Sequence, residues 1–387
     1  MREELLQFIW RYRHFNQRGL VTEDGRPLGI VFPGEPNIHQ GPDFREARLH
    51  LDGISLTGEV ELHIRTSDWR RHAHDGDPHY QSVILHVVWE NDLAEPPGGI
   101  PVLVLGDRVS GLLLGRYEQW MKLRGFVPCE GQLPAVEAGV WRDWTREIAV
   151  RRLQHRSASI HSLLEQNRQD WEETTWWLMA RSMGLPVNAA VFEAVARSLP
   201  LRLLRRHRHH VPALESLLLG QAGLLMEKEG AFREYRFWQA KYGLKPVGLP
   251  VSLLRMRPGH FPTARLAQLA GLLADGKSWF AAVREAPTAN VLLKELGGTR
   301  GLGPEMRQGM VINAFVPVLY AYGQREKALR WLGELKAERN HILRNWAERG
   351  VVAGDAAGSQ GLLQLKDEYC NARRCLDCAI GRALLAT

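Results

Sequence analysis

The sequence predicts an α+β fold: an N-terminal mixed-sheet domain followed by an all-α multi-helix domain. Three observations carry that expectation. Up to about residue 106, strand-like runs outnumber helical ones, which fits α+β better than a doubly wound order. The run from Gly58 to Arg65 alternates with a period of two, placing Val60, Leu62 and Ile64 on one face and Glu59, Glu61, His63 and Arg65 on the other. From Trp141 to about Trp346 nearly every segment has a helical period interrupted at Gly or Pro. At 387 residues the chain exceeds what one hydrophobic core usually supports, so two domains are expected.

Taken in order, residues 3–17 carry Leu5, Leu6, Phe8, Ile9, Tyr12 and Phe15 at helical spacing, an amphipathic helix ending at Gly19. Asp24, Gly25 and Pro27 mark a turn before a strand at Leu28–Phe32. After Pro33, Gly34 and Pro36, a strand near residues 47–51 turns at Asp52-Gly53 and returns over residues 54–64. Residues 66–80 are polar and loop-like. Two apolar runs, residues 83–89 and 101–105, complete a sheet of about five strands. Residues 110–124 read as a helix. A long helix is expected from Trp141 through Leu153, with further helices at 171–183, 188–198, 212–220, 232–242 and 263–273. No internal repeat of fixed period marks a solenoid. The small residues of 350–360 read as a linker to a cysteine-bearing tail. The expected division is therefore 1–125, 126–349 and 350–387.

The chain is 45% hydrophobic and 24% charged, the composition of a globular protein. No run approaches the roughly 18 apolar residues of a membrane span, and Glu3 and Glu4 interrupt any signal-peptide core. A cytoplasmic protein with no membrane partner is expected. A net charge of +7 favours an anionic partner, nucleic acid first.

Asp43 opens the first strand of the hairpin, and Glu59, Glu61 and His63 share one side of the second. Carboxylates converging from facing strands can hold Mg²⁺ or Mn²⁺, which polarises a phosphate and activates water, while a neighbouring base positions that water. Asp43 and Glu61 are the expected ligands, with Glu59 or His63 acting on the water. The competing reading is the polar face of a half-exposed sheet.

The spacing of Pro42-Asp43, Glu59-Val60-Glu61 and Glu61-Leu62-His63 resembles the PD-(D/E)xK nuclease signature. In that superfamily two acids and a lysine surround Mg²⁺ on a mixed sheet flanked by helices. The resemblance implies a nuclease-like N-terminal domain, but His63 or Glu61 stands where the lysine belongs. GPDF, GxVExH, SDWxxHxH and VILHVV, with a CxxxxCxxC tail, also resemble a bacterial family known as a domain of unknown function, over almost the entire chain. Asp43, Glu61, His63, Asp68, Trp69, His72, His74, Tyr80 and His86 match that pattern, whereas Glu59 falls outside it. The family name supplies no activity.

Three further groups carry chemistry. His72 and His74, with Asp75, Asp77 and His79 nearby, could join His63 or His86 in a second site for Zn²⁺, Mn²⁺ or Fe²⁺. Arg70 and Arg71, beside Trp69 as a stacking platform, could instead touch phosphates and bases. Cys370, Cys375 and Cys378 at C-x4-C-x2-C, with Cys129 as the remaining cysteine, supply four ligands for Zn²⁺. Helicase-associated nucleases that carry a [4Fe–4S] cluster are similar in outline but differ in spacing, which keeps zinc ahead. Arg202, Arg205, Arg206 and His209 fall on one helical face and could track a phosphate backbone.

The expected function is a metal-dependent nuclease or related phosphodiesterase acting on DNA or RNA. The alternatives are a non-catalytic nucleic-acid- or protein-binding scaffold with a structural zinc, and a histidine-based metallohydrolase of a small substrate.

Overall fold

A computed structural model describes residues 1–227, 230–253, 261–298 and 301–386. The fold is α+β: a mixed curled sheet comes first and a many-helix region follows. The described chain forms two compact units. One joins Met1–Val140 with Tyr369–Thr387, and the other is Trp141–Glu368.

In the first unit, α1 (Glu3–Arg11) is shorter than its periodicity predicts. Arg13 takes a left-handed backbone (φ 55°), which reverses the chain and brings Phe15 parallel to Trp10 at 6.1 Å. The same apolar side chains are thus buried by a turn instead of a third helical turn. The sheet comprises β1 (Leu28–Phe32), β2 (Glu35–Pro36), β3 (Phe44–Leu51), β4 (Ile54–Arg65), β5 (Val83–Glu90) and β6 (Val102–Val104). Its order is β1-β3-β4-β5-β6, with β2 pairing on β3.

The β3–β4 hairpin closes at Asp52 and Gly53, both at positive φ (51° and 79°), the geometry that twists a two-residue turn to match its strands. β4 and β5 run parallel, so residues 66–82 must cross over. That crossover contains α2 (Asp68–Arg71) and a short 3-10 helix, Pro78–Tyr80. β4 is covered on both sides over Val60, Glu61, Leu62 and His63, so the polar face read in its alternation is interior at these positions. After β6 come α3 (Gly111–Lys122) and a 3-10 turn, Glu130–Ala135.

α4 (Ala138–Gln166), which lies in the second unit from Trp141 on, is longer than expected at both ends, and α5 (Trp171–Met183) has the bounds its periodicity predicts. Further helices pack around Phe192, Phe315 and Trp331. The segment expected as a linker is half helix, Ala356–Gln364, capped by Asp355, whose carboxylate accepts from the Gly358 N–H at 2.8 Å. Its small residues serve close packing, since a side chain at Gly361 would collide with the Thr145 carbonyl. Smallness there reflects contact between helices.

Candidate metal centre

The crossover after β4 folds back over that strand. Its entry is fixed by Asp68, whose carboxylate accepts from the Arg65 N–H at 3.0 Å, and by Asp92, which accepts from the Ser67 N–H at 2.9 Å. Ala73 then adopts a left-handed backbone (φ 59°), uncommon for a residue with a Cβ. This reversal turns His72 and His74, on either side of it, toward the same point. Tyr80 stacks on His74 with ring centroids 3.7 Å apart.

The result is a cluster of imidazoles around Glu61. His63 Nε2 lies 3.0 Å from His72 Nδ1 and 3.4 Å from Glu61 Oε1. His74 Nε2 lies 3.3 Å from the same Oε1 and, although buried, makes no hydrogen bond. One ligand atom from each of His63, His72 and His74 can be chosen so that all lie within 4.8 Å of one another. Donors about 2.0–2.1 Å from one tetrahedral ion stand about 3.3 Å apart, so these side chains are spaced as a ligand set. Glu61 and His63 are only 5% and 1% exposed, whereas His72 is exposed and leaves the cluster open to solvent on its side.

A second layer holds the first. His63 Nδ1 lies 2.9 Å from His86 Nε2, the arrangement that fixes the tautomer and ring angle of a ligating histidine. Glu61 Oε2 accepts from the Asp43 N–H at 3.0 Å. The Asp43 carboxylate accepts from the Leu62 N–H at 3.1 Å and from the Gln7 side chain of α1 at 2.8 Å.

The electrostatics lack a cation. Burial, then the charge of Asp43, pushes the Glu61 carboxyl up to about 9, and burial raises Asp43 to about 6 against the hydrogen bonds that favour its ionised form. Among the described residues no Lys or Arg nitrogen lies within 4.0 Å of either carboxylate. Burial, reinforced by neighbouring histidines, lowers His63 to about 2 and His86 to about 3, and lowers His74. These imidazoles are therefore neutral at pH 7, the form that coordinates metal. His63 stands where the nuclease pattern has a lysine, but a neutral imidazole cannot supply lysine's charge.

The remaining expected residues are placed as follows. The structure brings Asp43, Glu61 and His63 together and joins His72 and His74 to them, so the two sites read separately in the sequence are one cluster. His86 sits behind His63. Glu59 accepts from the Ser82 hydroxyl at 2.5 Å and faces Arg45 at 3.8 Å. Arg70 and Arg71 are exposed, with Arg71 3.0 Å from Asp68. Trp69 is buried and donates to Asp75 at 3.1 Å, so no face is free for stacking a base. In the second unit the helix Leu201–Arg206 ends before His209, so the basic stripe on one face is Arg202, Arg205 and Arg206 alone, with Arg205 3.1 Å from Glu172. Cys129, Cys370, Cys375 and Cys378 all lie in the first unit. Gln7 and Ala73 were missed: one lies on the polar side of an amphipathic helix and the other reveals itself only through φ.

Residues 3–299 match the family described as "Protein of unknown function (DUF2851)", and the chain belongs to that family. No curated protein and no solved structure matches the chain. No described helix is long and apolar enough to cross a membrane.

Proposed function

We propose that this protein is a metal-dependent phosphodiesterase acting on nucleic acid, with His63, His72, His74 and Glu61 holding the ion. The observation that carries the proposal is the orphaned, buried His74 Nε2, 3.3 Å from a buried carboxylate oxygen that lacks a cation. Buried polar atoms without partners are costly, and a divalent ion would satisfy both at once. Three nitrogens and one oxygen favour Mn²⁺ or Zn²⁺ over the all-oxygen preference of Mg²⁺.

A bound divalent ion supplies polarisation of a phosphoryl oxygen and a lowered pKa for water. The chain's own residues do the rest. His86 orients His63, and the Asp43 N–H with its carboxylate brace positions Glu61. Tyr80 holds the His74 ring in place by stacking. Exposed His72 marks the open side from which substrate enters, and Arg70 and Arg71 lie exposed beside it in sequence.

Two observations support a nucleic-acid substrate. Asp43, the residue before β3, and Glu61-Leu62-His63 on β4 of a mixed sheet follow the order of the nuclease signature. The second unit carries a groove of about 1980 Å³ in whose lining basic side chains, among them Arg156, Arg307 and Arg344, outnumber the acidic Glu193, Glu305, Glu334, Glu338 and Asp367. Among the described residues none of these three arginines has a carboxylate oxygen within 4.0 Å. That volume exceeds a typical small-ligand pocket of about 300–1,000 Å³, and the excess of basic over acidic lining favours an anionic occupant. We place the protein in the cytoplasm, where its thiols stay reduced.

The test is cleavage of single- and double-stranded DNA and RNA by the purified chain with Mn²⁺, Zn²⁺, Mg²⁺ or EDTA. Cleavage with Mn²⁺ or Zn²⁺ that disappears in EDTA and in Glu61→Gln is expected. Undiminished cleavage by Glu61→Gln, or none with any ion, overturns the proposal.

A further inference from the structure

The cysteines are the motif that this reading leaves unused. Cys129 stands directly before the 3-10 turn Glu130–Ala135, and Cys378 directly before the last helix, Ala379–Leu385. That helix packs on the same 3-10 turn and on α3. The tail therefore returns to the first unit beside the link that carries Cys129, after the intervening 228 residues, Trp141–Glu368, have formed the second unit.

The return is held by specific bonds. The Arg373 guanidinium donates to the carbonyls of Met121 and Leu123, at 2.9 and 2.8 Å, and to that of Trp120, so it neutralises the C-terminal end of α3. Arg116 donates to the Leu384 carbonyl. Between these anchors Cys370, Cys375 and Cys378 follow one another in a tight run, with the Cys378 N–H 3.4 Å from the Cys375 carbonyl. Gly381 lies against that carbonyl, where a Cβ would collide.

Cys129, Cys375 and Cys378 are buried and Cys370 is partly so. Cys129 and Cys375 lie within electrostatic reach of Cys378, and Cys129 within reach of Cys375 as well. Among the described residues the histidine cluster is the one group whose ligand atoms are already drawn together, so binding at the cysteines must pull their sulfurs inward.

We propose that Cys129, Cys370, Cys375 and Cys378 bind a structural zinc ion that staples the C-terminal tail to the link after the sheet. Four thiolates complete a tetrahedral shell with no open position, so this ion takes no part in turnover. Binding releases the thiol protons to solvent as the four Zn–S bonds form. This site is independent of the histidine centre.

The test uses the full chain loaded with Co²⁺ in place of zinc. A thiolate-to-cobalt charge-transfer band in the near ultraviolet is expected in wild type and in His63→Ala/His74→Ala. It should be lost in Cys375→Ser and in Cys129→Ser, whose folding is checked by circular dichroism. Should either serine variant fail to fold, zinc and reactive thiols are counted in wild type: one zinc per chain beyond that of the histidine site, and four thiols that become reactive only after chelation. No charge-transfer band in wild type, thiols equally reactive before and after chelation, or iron in place of zinc each overturns the proposal.

Discussion

Glu61 is the residue on which the centre turns, because one of its oxygens faces two imidazoles and the other is held by the Asp43 N–H. Its titration has a definite sign. In metal-free protein its carboxyl sits at about 9, above its ordinary 4.5, so the folded state binds the proton more tightly than the unfolded one. That contribution to stability is complete below pH 4.5 and is lost as pH rises toward 9. Between pH 7 and 9 folded His63 and His86 are neutral and Asp43, raised less than Glu61, has already ionised, so Glu61 is the main source of the slope. Melting temperature in EDTA should fall from pH 7 to 9 in wild type and stay flat in Glu61→Gln. Metal affinity should rise over the same interval, since Glu61 must release its proton to bind. His86→Ala leaves the ligands in place but frees the His63 ring. Metal titration should show an affinity about 10–100-fold weaker, the usual cost of losing such a partner.

At the scale of elements, the crossover between two parallel strands does the assembling. β4 supplies Glu61 and His63, and the crossover supplies His72 and His74 through the reversal at Ala73. Valine is poorly tolerated at positive φ, so Ala73→Val should lower both stability and metal affinity, while Ala73→Gly should leave affinity within a few-fold of wild type. Calorimetry on the two variants checks this. The ladder is equally exacting at Gly58, where a Cβ would stand 2.5 Å from Ile84 Cγ2 and 2.7 Å from the Ser82 carbonyl. Gly58→Ala should cost about 1–3 kcal/mol in urea unfolding, as overpacking does. Much of this was legible in the sequence. Alternation in Gly58–Arg65 and the Asp52-Gly53 turn place the hairpin, and six chemistry-bearing residues of the centre, Asp43, Glu61, His63, His72, His74 and His86, were named from residue type. Their union into one cluster was not legible, because it depends on a parallel crossover and one left-handed residue that composition does not reveal. The competing reading of β4 as a half-exposed polar face stayed open for the same reason: alternation reports two faces but not what covers them.

The whole molecule divides where the sequence does not announce it. Texture changes after residue 106, yet the first unit runs to Val140 and takes back Tyr369–Thr387. A return of the tail is a long-range packing event, visible in the sequence only as three cysteines near the end and one far upstream. The groove of the second unit was likewise invisible, since its arginines come from several helices and form no local run. If that groove binds nucleic acid, Arg156→Glu/Arg344→Glu should weaken binding of a labelled oligonucleotide and reduce its salt dependence while leaving metal content unchanged.

The most direct test of the central claim is the number of Mn²⁺ ions bound per chain, counted by electron paramagnetic resonance of free Mn²⁺ during titration of the full chain. Wild type should take up one ion, Cys375→Ser should take up the same one, and His63→Ala/His74→Ala should take up none. An unchanged count in the double-histidine variant, or no uptake by wild type, contradicts a metal centre built on Glu61 and its three histidines.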